Sequence, residues 1–143
     1  MLTDEQHASI KLGIPFLFKL KGVNQSTGNL SYWENNEIFP DGIQRCFWVY
    51  DVEPRESRGN HAHFSESQVI VAMNGQIHVK VENVLGEEFF FELDHPSVGL
   101  FLPPKNWITT RFEPGSVLLG MCNETFKESD YIRDFELFKS LSK

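Results

Sequence analysis

Two histidines separated by a single residue, His61 and His63, are the residues whose type and spacing point most directly to chemistry. In an extended segment, residues i and i+2 point to the same side, so we expect both imidazoles to face one surface. Imidazole titrates near neutral pH and is also a common metal ligand. The pair is therefore compatible with three roles: holding a metal ion, transferring protons, or packing as a hydrogen-bonded polar pair.

Short strands are the elements that must position this pair. Residues 44–52, 67–73 and 76–81 have the composition of strands, and Asn74-Gly75 is typical of a hairpin turn between the last two. Similar segments follow at residues 88–93, 98–102, 107–112 and 116–122. Many short strands separated by turns are typical of a β-sandwich or a β-barrel.

The two ends of the chain have different patterns. Residues 10–21 contain an apolar stretch in which Pro15 favours an edge strand, and a second short strand is predicted at 28–34. Only the C-terminus is predicted to be helical, over about residues 130–141, because apolar residues recur there at helical spacing: Ile132, Phe135, Phe138 and Leu141. The length suits one domain, so residues 1–143 are predicted to form a single domain.

Composition excludes several classes of function. The formal net charge of −7 makes nucleic acid an improbable partner. Two cysteines, Cys46 and Cys122, match neither a disulfide framework nor a structural zinc site, which fits a reducing cytoplasm. Lys19 and Lys21 interrupt the N-terminal apolar run, which therefore predicts neither a signal peptide nor a membrane span. We expect a soluble cytoplasmic protein that binds no membrane.

Several motifs resemble those of a known superfamily. Gly59, His61-Ala62-His63, Gln68 and Gly75 are similar to the first motif of the cupins, and residues 98–107 resemble the second. Within the cupins, four stretches together resemble the sugar 3,4-ketoisomerases of the WxcM-like type: Tyr50-Asp51-Val52, Arg58-Gly59-Asn60-His61-Ala62-His63, Asn74-Gly75, and Asp130-Tyr131-Ile132-Arg133-Asp134-Phe135. The resemblance covers about residues 28–138.

This resemblance implies a fold and an activity. The expected fold is all-β, a cupin jelly-roll barrel with a short C-terminal helix. The implied reaction converts dTDP-4-keto-6-deoxyglucose to the 3-keto sugar. The resemblance also implies a homodimer, in which N-terminal strands within residues 10–34 pair with the partner's sheet or are exchanged with it. Folding of these strands back onto their own barrel remains an alternative.

Two departures from the metal-binding cupins bear on the cofactor. Gln68 stands where those proteins carry a glutamate ligand, and Ile108 lies in the stretch where they carry a third histidine. Two histidines without an anionic ligand make a poor site for a divalent metal. We therefore predict no metal and no other cofactor, in agreement with what the resemblance implies.

Moving a ketone from C4 to C3 of a sugar requires removal of the C3 proton, an enediol, and protonation of C4. Histidine can accept and return such protons near neutral pH. The hypothesis is that His61 is the base at carbon and His63 shuttles the hydroxyl proton, although the reverse assignment stays open. Tyr50 shares a strand face with Cys46 and Trp48. It is predicted to point into the barrel, either with its hydroxyl on a sugar oxygen or as an ordinary core aromatic.

Five residues are candidates for substrate binding. Arg58 is placed to hold the diphosphate or to neutralise an enediolate. Arg133 and Tyr131 fit the C-terminal motif of the family, and Arg133 is a candidate phosphate contact. Trp48 and Trp107 are candidate walls of the pocket. Ordinary structural roles, as surface charges or core aromatics, remain open for all five.

Three other functions remain as alternatives. A nucleotide-sugar 3,5-epimerase would use a histidine base and a tyrosine acid. A non-catalytic sugar-binding cupin would retain the barrel motifs without turnover. A metal-dependent dioxygenase-type cupin is disfavoured by Gln68 and Ile108. The configuration of the product at C4 and the nucleotide itself are open.

Overall fold

Two five-stranded antiparallel sheets face each other in this computed structural model, which describes residues 2–34 and 37–142. The first sheet has the spatial order β1 (Phe16–Lys19), β9 (Val98–Leu102), β6 (Gln68–Asn74), β11 (Val117–Cys122) and β4 (Arg45–Val49). The second has the order β12 (Tyr131–Ile132), β5 (Ser57–His63), β10 (Asn106–Phe112), β7 (Ile77–Asn83) and β8 (Glu88–Leu93). The predicted all-β jelly-roll architecture is confirmed.

The space between the sheets holds the main core. Strand β7 shows how it is built: Ile77, Val79 and Val81 are buried, whereas His78 and Lys80 between them point outward. Alternation of this kind is what a strand with one buried face requires. The inward residues of β7 pack against buried apolar residues of both sheets, among them Ile70, Leu93, Leu100, Phe112 and Leu118.

The turn at Asn74-Gly75 does not join a hairpin, as the sequence predicted. Strand β6 pairs with β9 and β11 in the first sheet, whereas β7 pairs with β8 and β10 in the second. Gly75 has a φ of 79°, and a Cβ atom there would collide with Ser116. The turn chemistry was recognised correctly, but the chain uses the turn to cross from one sheet to the other.

The N-terminus contains a helix that the sequence did not predict. Helix α1 (Asp4–Leu12) begins with a reciprocal capping pair, in which the Thr3 side chain and the Gln6 side chain each bond to the other's backbone N–H. It ends at Gly13, which has a φ of 69°. No residue of α1 is buried. A helix without a buried face needs no apolar residues at helical spacing, and it was this spacing that the sequence analysis used to predict helices.

A separate two-stranded hairpin follows β1. It consists of β2 (Lys21–Gln25) and β3 (Gly28–Tyr32), and every residue of both strands is exposed. Within residues 2–34 and 37–142, neither strand joins one of the two large sheets. The hairpin therefore has strand composition without a buried face of its own.

The C-terminal helix is shorter than the predicted 130–141. A turn of 3-10 helix (Glu128–Asp130) leads into β12, and α2 (Phe135–Ser140) begins after Asp134, whose side chain accepts from two backbone N–H groups of the first turn. Ile132 is buried because it pairs with Ala62 of β5, not because it lies on a helix. No helix in the described part of the chain is long and apolar enough to cross a membrane.

Candidate active site

A cavity of about 410 Å³ opens between the two sheets at the end where β5 and β12 meet. Its inner wall is apolar and consists of Phe47, Val49, Ile70, Ile108, Phe112 and Leu118. Its polar groups include one histidine, one tyrosine and three arginines: His61, Tyr131, Arg45, Arg58 and Arg133. An apolar pocket with a few convergent polar groups is typical of a small-molecule site.

His61 presents a proton acceptor to this cavity. Its Nδ1 lies 3.0 Å from the carbonyl oxygen of Gly59. Because a carbonyl only accepts, Nδ1 carries the hydrogen and Nε2 keeps its lone pair. Burial lowers the pKa of His61, and the positive charge of Arg133 lowers it further. The imidazole is therefore neutral at neutral pH, which is the form that a general base needs.

Gly59 explains how the strand brings His61 to this position. It has a φ of 88°, and a Cβ atom there would lie 2.9 Å from the carbonyl oxygen of Ile108. The pairing of β5 with β10 shifts register at the same point, between Ile108 and Thr109. Only glycine fits this backbone conformation without strain, so the glycine of the motif has a structural reason.

His63 occupies a different environment from His61, although the two rings lie edge to face with centroids 5.2 Å apart. His63 is 7% exposed and does not line the cavity. Its Nδ1 lies 3.2 Å from Asp130 Oδ2, and its Nε2 lies 3.4 Å from both Glu66 Oε2 and Gln68 Nε2. Both ring nitrogens therefore face protein groups, whereas Nε2 of His61 remains available.

Two carboxylates that the sequence analysis gave no role support this arrangement. Glu66 is 3% exposed, and its oxygens lie 2.7 and 3.1 Å from the guanidinium of Arg45; it also accepts from Gln68 Nε2 at 2.7 Å. Asp130 accepts from the backbone N–H and hydroxyl of Ser65 at 2.9 and 2.8 Å. Burial acts to raise the pKa of Asp130, but these hydrogen bonds outweigh burial and lower it.

Tyr131 completes the cavity from the last strand. Its ring centroid lies 4.2 Å from that of His63 and 5.1 Å from that of His61. The guanidinium carbon of Arg133 lies 4.3 Å from the centre of the Tyr131 ring, while its nitrogens bond to Glu128 at 2.7 and 3.0 Å. Burial raises the pKa of Tyr131, although the charges of Arg45 and Arg133 oppose this.

Three predicted site residues lie elsewhere. Tyr50 and Trp48 are 59% and 63% exposed and do not line the cavity, because β4 turns Arg45, Phe47 and Val49 inward instead. The prediction that Tyr50 points into the barrel is therefore wrong. Trp107 packs beneath α2, with its ring centroid 5.0 Å from Phe135 and 5.6 Å from Phe138, on the outer side of the second sheet.

Sequence reasoning missed Arg45, Glu66 and the role of Asp130. Arg45 shares a strand face with Phe47 and Val49. A prediction that this face points inward would have identified Arg45 as a cavity residue. Nothing in the local sequence pairs Glu66 with Arg45 or Asp130 with His63, because the paired residues are 21 and 67 positions apart in the chain. In residues 2–34 and 37–142, no group of three or more His, Cys, Asp or Glu side chains is arranged to hold a metal ion.

Comparison with known proteins identifies the family. Residues 15–143 match the family described as "FdtA: WxcM-like, C-terminal". The chain belongs to this family. It is 32% identical over 126 residues to the TDP-4-oxo-6-deoxy-alpha-D-glucose-3,4-oxoisomerase of Aneurinibacillus thermoaerophilus, covering 86% of this chain and 88% of that protein.

Solved structures agree with the membership in the FdtA, WxcM-like family. The sugar 3,4-ketoisomerase QdtA of Thermoanaerobacterium thermosaccharolyticum, in complex with TDP, has a TM-score of 0.83 and 31% identity over 89% of this chain and 93% of its own. A 3,4-ketoisomerase from Helicobacter canadensis has a TM-score of 0.83 and 30% identity over 89% and 96% of the two chains. The expected enzyme class, a sugar ketoisomerase, is confirmed.

Proposed function

We propose that this enzyme converts dTDP-4-keto-6-deoxyglucose to the corresponding 3-keto sugar. The observation that carries the proposal is His61, which lines a cavity of about 410 Å³ and whose Nδ1 bonds to the Gly59 carbonyl, leaving Nε2 as a proton acceptor. A base of this kind suits removal of the proton next to a ketone. The family relative from Aneurinibacillus thermoaerophilus carries the name of this activity, which supports the choice of substrate.

In the proposed mechanism, His61 is the general base at carbon. Its Nε2 accepts the proton from C3 while a second acid–base group, for which the sequence predicted His63, gives a proton to the C4 oxygen and later takes one from the C3 oxygen. The first half of this exchange gives an enediol. Protonation of C4 by the resulting imidazolium, with loss of the proton on the C3 oxygen, then yields the 3-keto sugar. Every proton removed is returned, so the reaction needs no redox partner. We propose that it also needs no metal, because Gln68 donates its amide to Glu66 instead of offering an anionic ligand.

Arg58 and Arg133 are the proposed contacts of the diphosphate. Both line the cavity, and they provide local positive charge in a chain whose net charge is −7. In the described residues the guanidinium of Arg58 has no ion-pair partner, so it is available to an anion. Arg133 is paired with Glu128, but both side chains are exposed, so exchange of that carboxylate for a phosphate costs little.

The enzymatic alternative and the non-enzymatic alternative predict different patterns of hydrogen exchange with the solvent. A 3,5-epimerase would remove the C5 proton as well as the C3 proton, whereas a non-catalytic sugar-binding cupin would remove neither. The test is incubation of the protein with dTDP-4-keto-6-deoxyglucose in deuterated water, followed by NMR of the sugar. We expect the 3-keto product with deuterium at C4, deuterium at C3 of the 4-keto sugar that remains, and none at C5. Deuterium at C5, or binding without conversion, would contradict the proposal.

We further propose a homodimer in the cytoplasm, in which the β2–β3 hairpin contacts a second copy of this chain. The hairpin exposes Val23 and Leu30, 48% and 60% exposed, and it borders a groove of about 1300 Å³ over the outer face of the first sheet. That face exposes Met73, Trp48 and Tyr50. Apolar side chains concentrated on one sheet face favour a protein partner, and a self-complementary pairing suits a two-fold dimer.

The free thiols of Cys46 and Cys122 suit a reducing compartment, which supports the proposed cytoplasmic location.

The substitution Met73→Arg tests the dimer. A charge on the outer face of the first sheet would be buried without a partner in the dimer, so we expect the protein to become monomeric. Light scattering coupled to gel filtration measures the change. Leu85→Arg is the matched control, because Leu85 is 72% exposed in the turn after β7, away from that face. A monomeric wild-type protein would rule out the dimer.

A further inference from the structure

The cavity is polar at one end and apolar at the other, and the strand registers of the first sheet show which residues lie at each end. Cys122 of β11 lies beside Arg45 and Gln68, whereas Leu118 of the same strand lies beside Val49. Arg45 and Gln68 therefore line one end of the cavity. Val49 and Leu118 line the other end, four residues further along β4.

The second sheet has the same division. Gln68 Nε2 lies 3.4 Å from His63 Nε2, so the polar end of the cavity is the end beside His63. Because β10 runs antiparallel to β5 and its Ile108 pairs with His61, Phe112 lies at the end away from His63. Phe112 belongs to the same buried apolar cluster as Leu118, and Val49 packs against that cluster.

The proposed reaction fixes how a hexose lies in this cavity. The diphosphate is attached to C1, and its proposed contacts, Arg58 and Arg133, are exposed at the rim. C4 lies across the ring from C1 and therefore points inward, with C3 and C5 on either side of it. C3 must reach His61, and the C3 and C4 oxygens need the second acid–base group, so these atoms lie toward the polar end beside His63. C5 and the C6 methyl group that it carries then point toward the apolar end.

We propose that Val49, Phe112 and Leu118 form a methyl subsite, which receives C6 of the sugar and selects 6-deoxy sugars over sugars with a C6 hydroxyl. This inference rests on the proposed ketoisomerase function, because that reaction sets the orientation of the ring. It assigns a specificity role to side chains that would otherwise be only the core of the barrel.

The methyl subsite offers apolar contacts and no free hydrogen-bond donor. Phe112 and Leu118 are 3% and 4% exposed. Thr110, the polar cavity residue nearest to Phe112 along β10, already donates its hydroxyl hydrogen to the carbonyl oxygen of Arg58 at 3.0 Å. A C6 hydroxyl placed here would lose its hydrogen bonds to water without equivalent replacements, whereas a methyl group loses none.

The test compares two ligands that differ only at C6, dTDP-6-deoxyglucose and dTDP-glucose. Both lack the ketone, so neither is converted by the enzyme. We expect calorimetry to show that the wild-type protein binds dTDP-glucose about 100-fold more weakly, the discrimination typical of an apolar pocket that meets an added hydroxyl. Affinities within about 3-fold of each other would overturn the proposal.

The substitution Val49→Thr tests the location of the methyl subsite. It nearly keeps the shape of the side chain and adds a hydroxyl that can bond to a C6 hydroxyl. The preference for the 6-deoxy ligand should therefore fall by about 10-fold, the effect of one hydrogen bond. Val117→Thr is the matched control, because Val117 precedes Leu118 in β11 but does not line the cavity. An unchanged preference in the Val49→Thr variant would contradict the location.

A further measurement uses only the wild-type protein. Isotope-filtered NMR detects contacts between the C6 methyl protons of bound dTDP-6-deoxyglucose and the protein. We expect these contacts to reach Val49, Phe112 and Leu118, and contacts to Gln68 in their place would overturn the proposal. Failure of the ketoisomerase proposal is distinguishable, because the wild-type protein would then convert no dTDP-4-keto-6-deoxyglucose, whereas ligand preference is measured without turnover.

Discussion

The substitution His61→Asn is expected to lower kcat for the isomerisation by about three orders of magnitude, within the range found for loss of a general base. Asparagine can still bond to the Gly59 carbonyl but cannot accept a proton from carbon at neutral pH. Because the other cavity residues are unchanged, TDP binding should change little. Turnover measured by NMR and binding measured by calorimetry test both parts.

The pH profile tests the same assignment. Burial lowers the pKa of His61, so its neutral form persists to more acidic pH than for an ordinary histidine. The value of kcat/KM should therefore be constant through neutral pH and fall only as the pH drops through this lowered pKa. His78→Asn is the matched control, since His78 lies outside the barrel between Glu92 and Glu113. Full turnover of the His61→Asn variant would contradict the base assignment.

The substitution Glu66→Ala is expected to reduce the free energy of unfolding by about 3 kcal/mol, the scale measured when one partner of a buried ion pair is removed. Arg45 would then keep its charge in a mostly buried site, and Gln68 would lose its acceptor. Urea denaturation monitored by tryptophan fluorescence measures the loss. Activity should also fall, because Arg45 and Gln68 both line the cavity.

Two further variants make this stability test specific. Glu88→Ala breaks the exposed pair with Lys80 and should change stability by less than about 1 kcal/mol. The double substitution Arg45→Met with Glu66→Leu removes both charges and should regain most of the lost stability. If Glu66→Ala costs no more than Glu88→Ala, the buried pair does not have the structural role assigned to it.

The sequence was sufficient for the fold class and for the centre of the site. Strand composition and the glycines at turns are local features, and they were enough to predict the all-β fold. Arg58, His61, Tyr131 and Arg133 were predicted site residues, and all four line the cavity. Three of these predictions depended on motifs that resemble the family, because composition and periodicity alone do not distinguish them from surface residues.

Other features could not be predicted from the sequence, for physical reasons. Alternation divides β4 into two faces but does not say which face is inward, and the aromatic face with Trp48 and Tyr50 was wrongly chosen. The apolar spacing from Ile132 onward also fits a helix, although pairing with Ala62 makes the first residues a strand. The contacts of Glu66 and Asp130 join segments far apart in the chain, which a local pattern does not specify.

The crossing at Asn74-Gly75 has a consequence for how the molecule is made. Because β6 and β7 enter different sheets, several strands pair with partners far along the chain: β1 with β9, β4 with β11, and β5 with β12. Such distant pairings slow folding, because the chain loses the entropy of closing a long loop before the paired strands stabilise each other. During synthesis, His61 emerges from the ribosome well before Tyr131 and Arg133, so the cavity that they line together cannot be complete until those later residues are available.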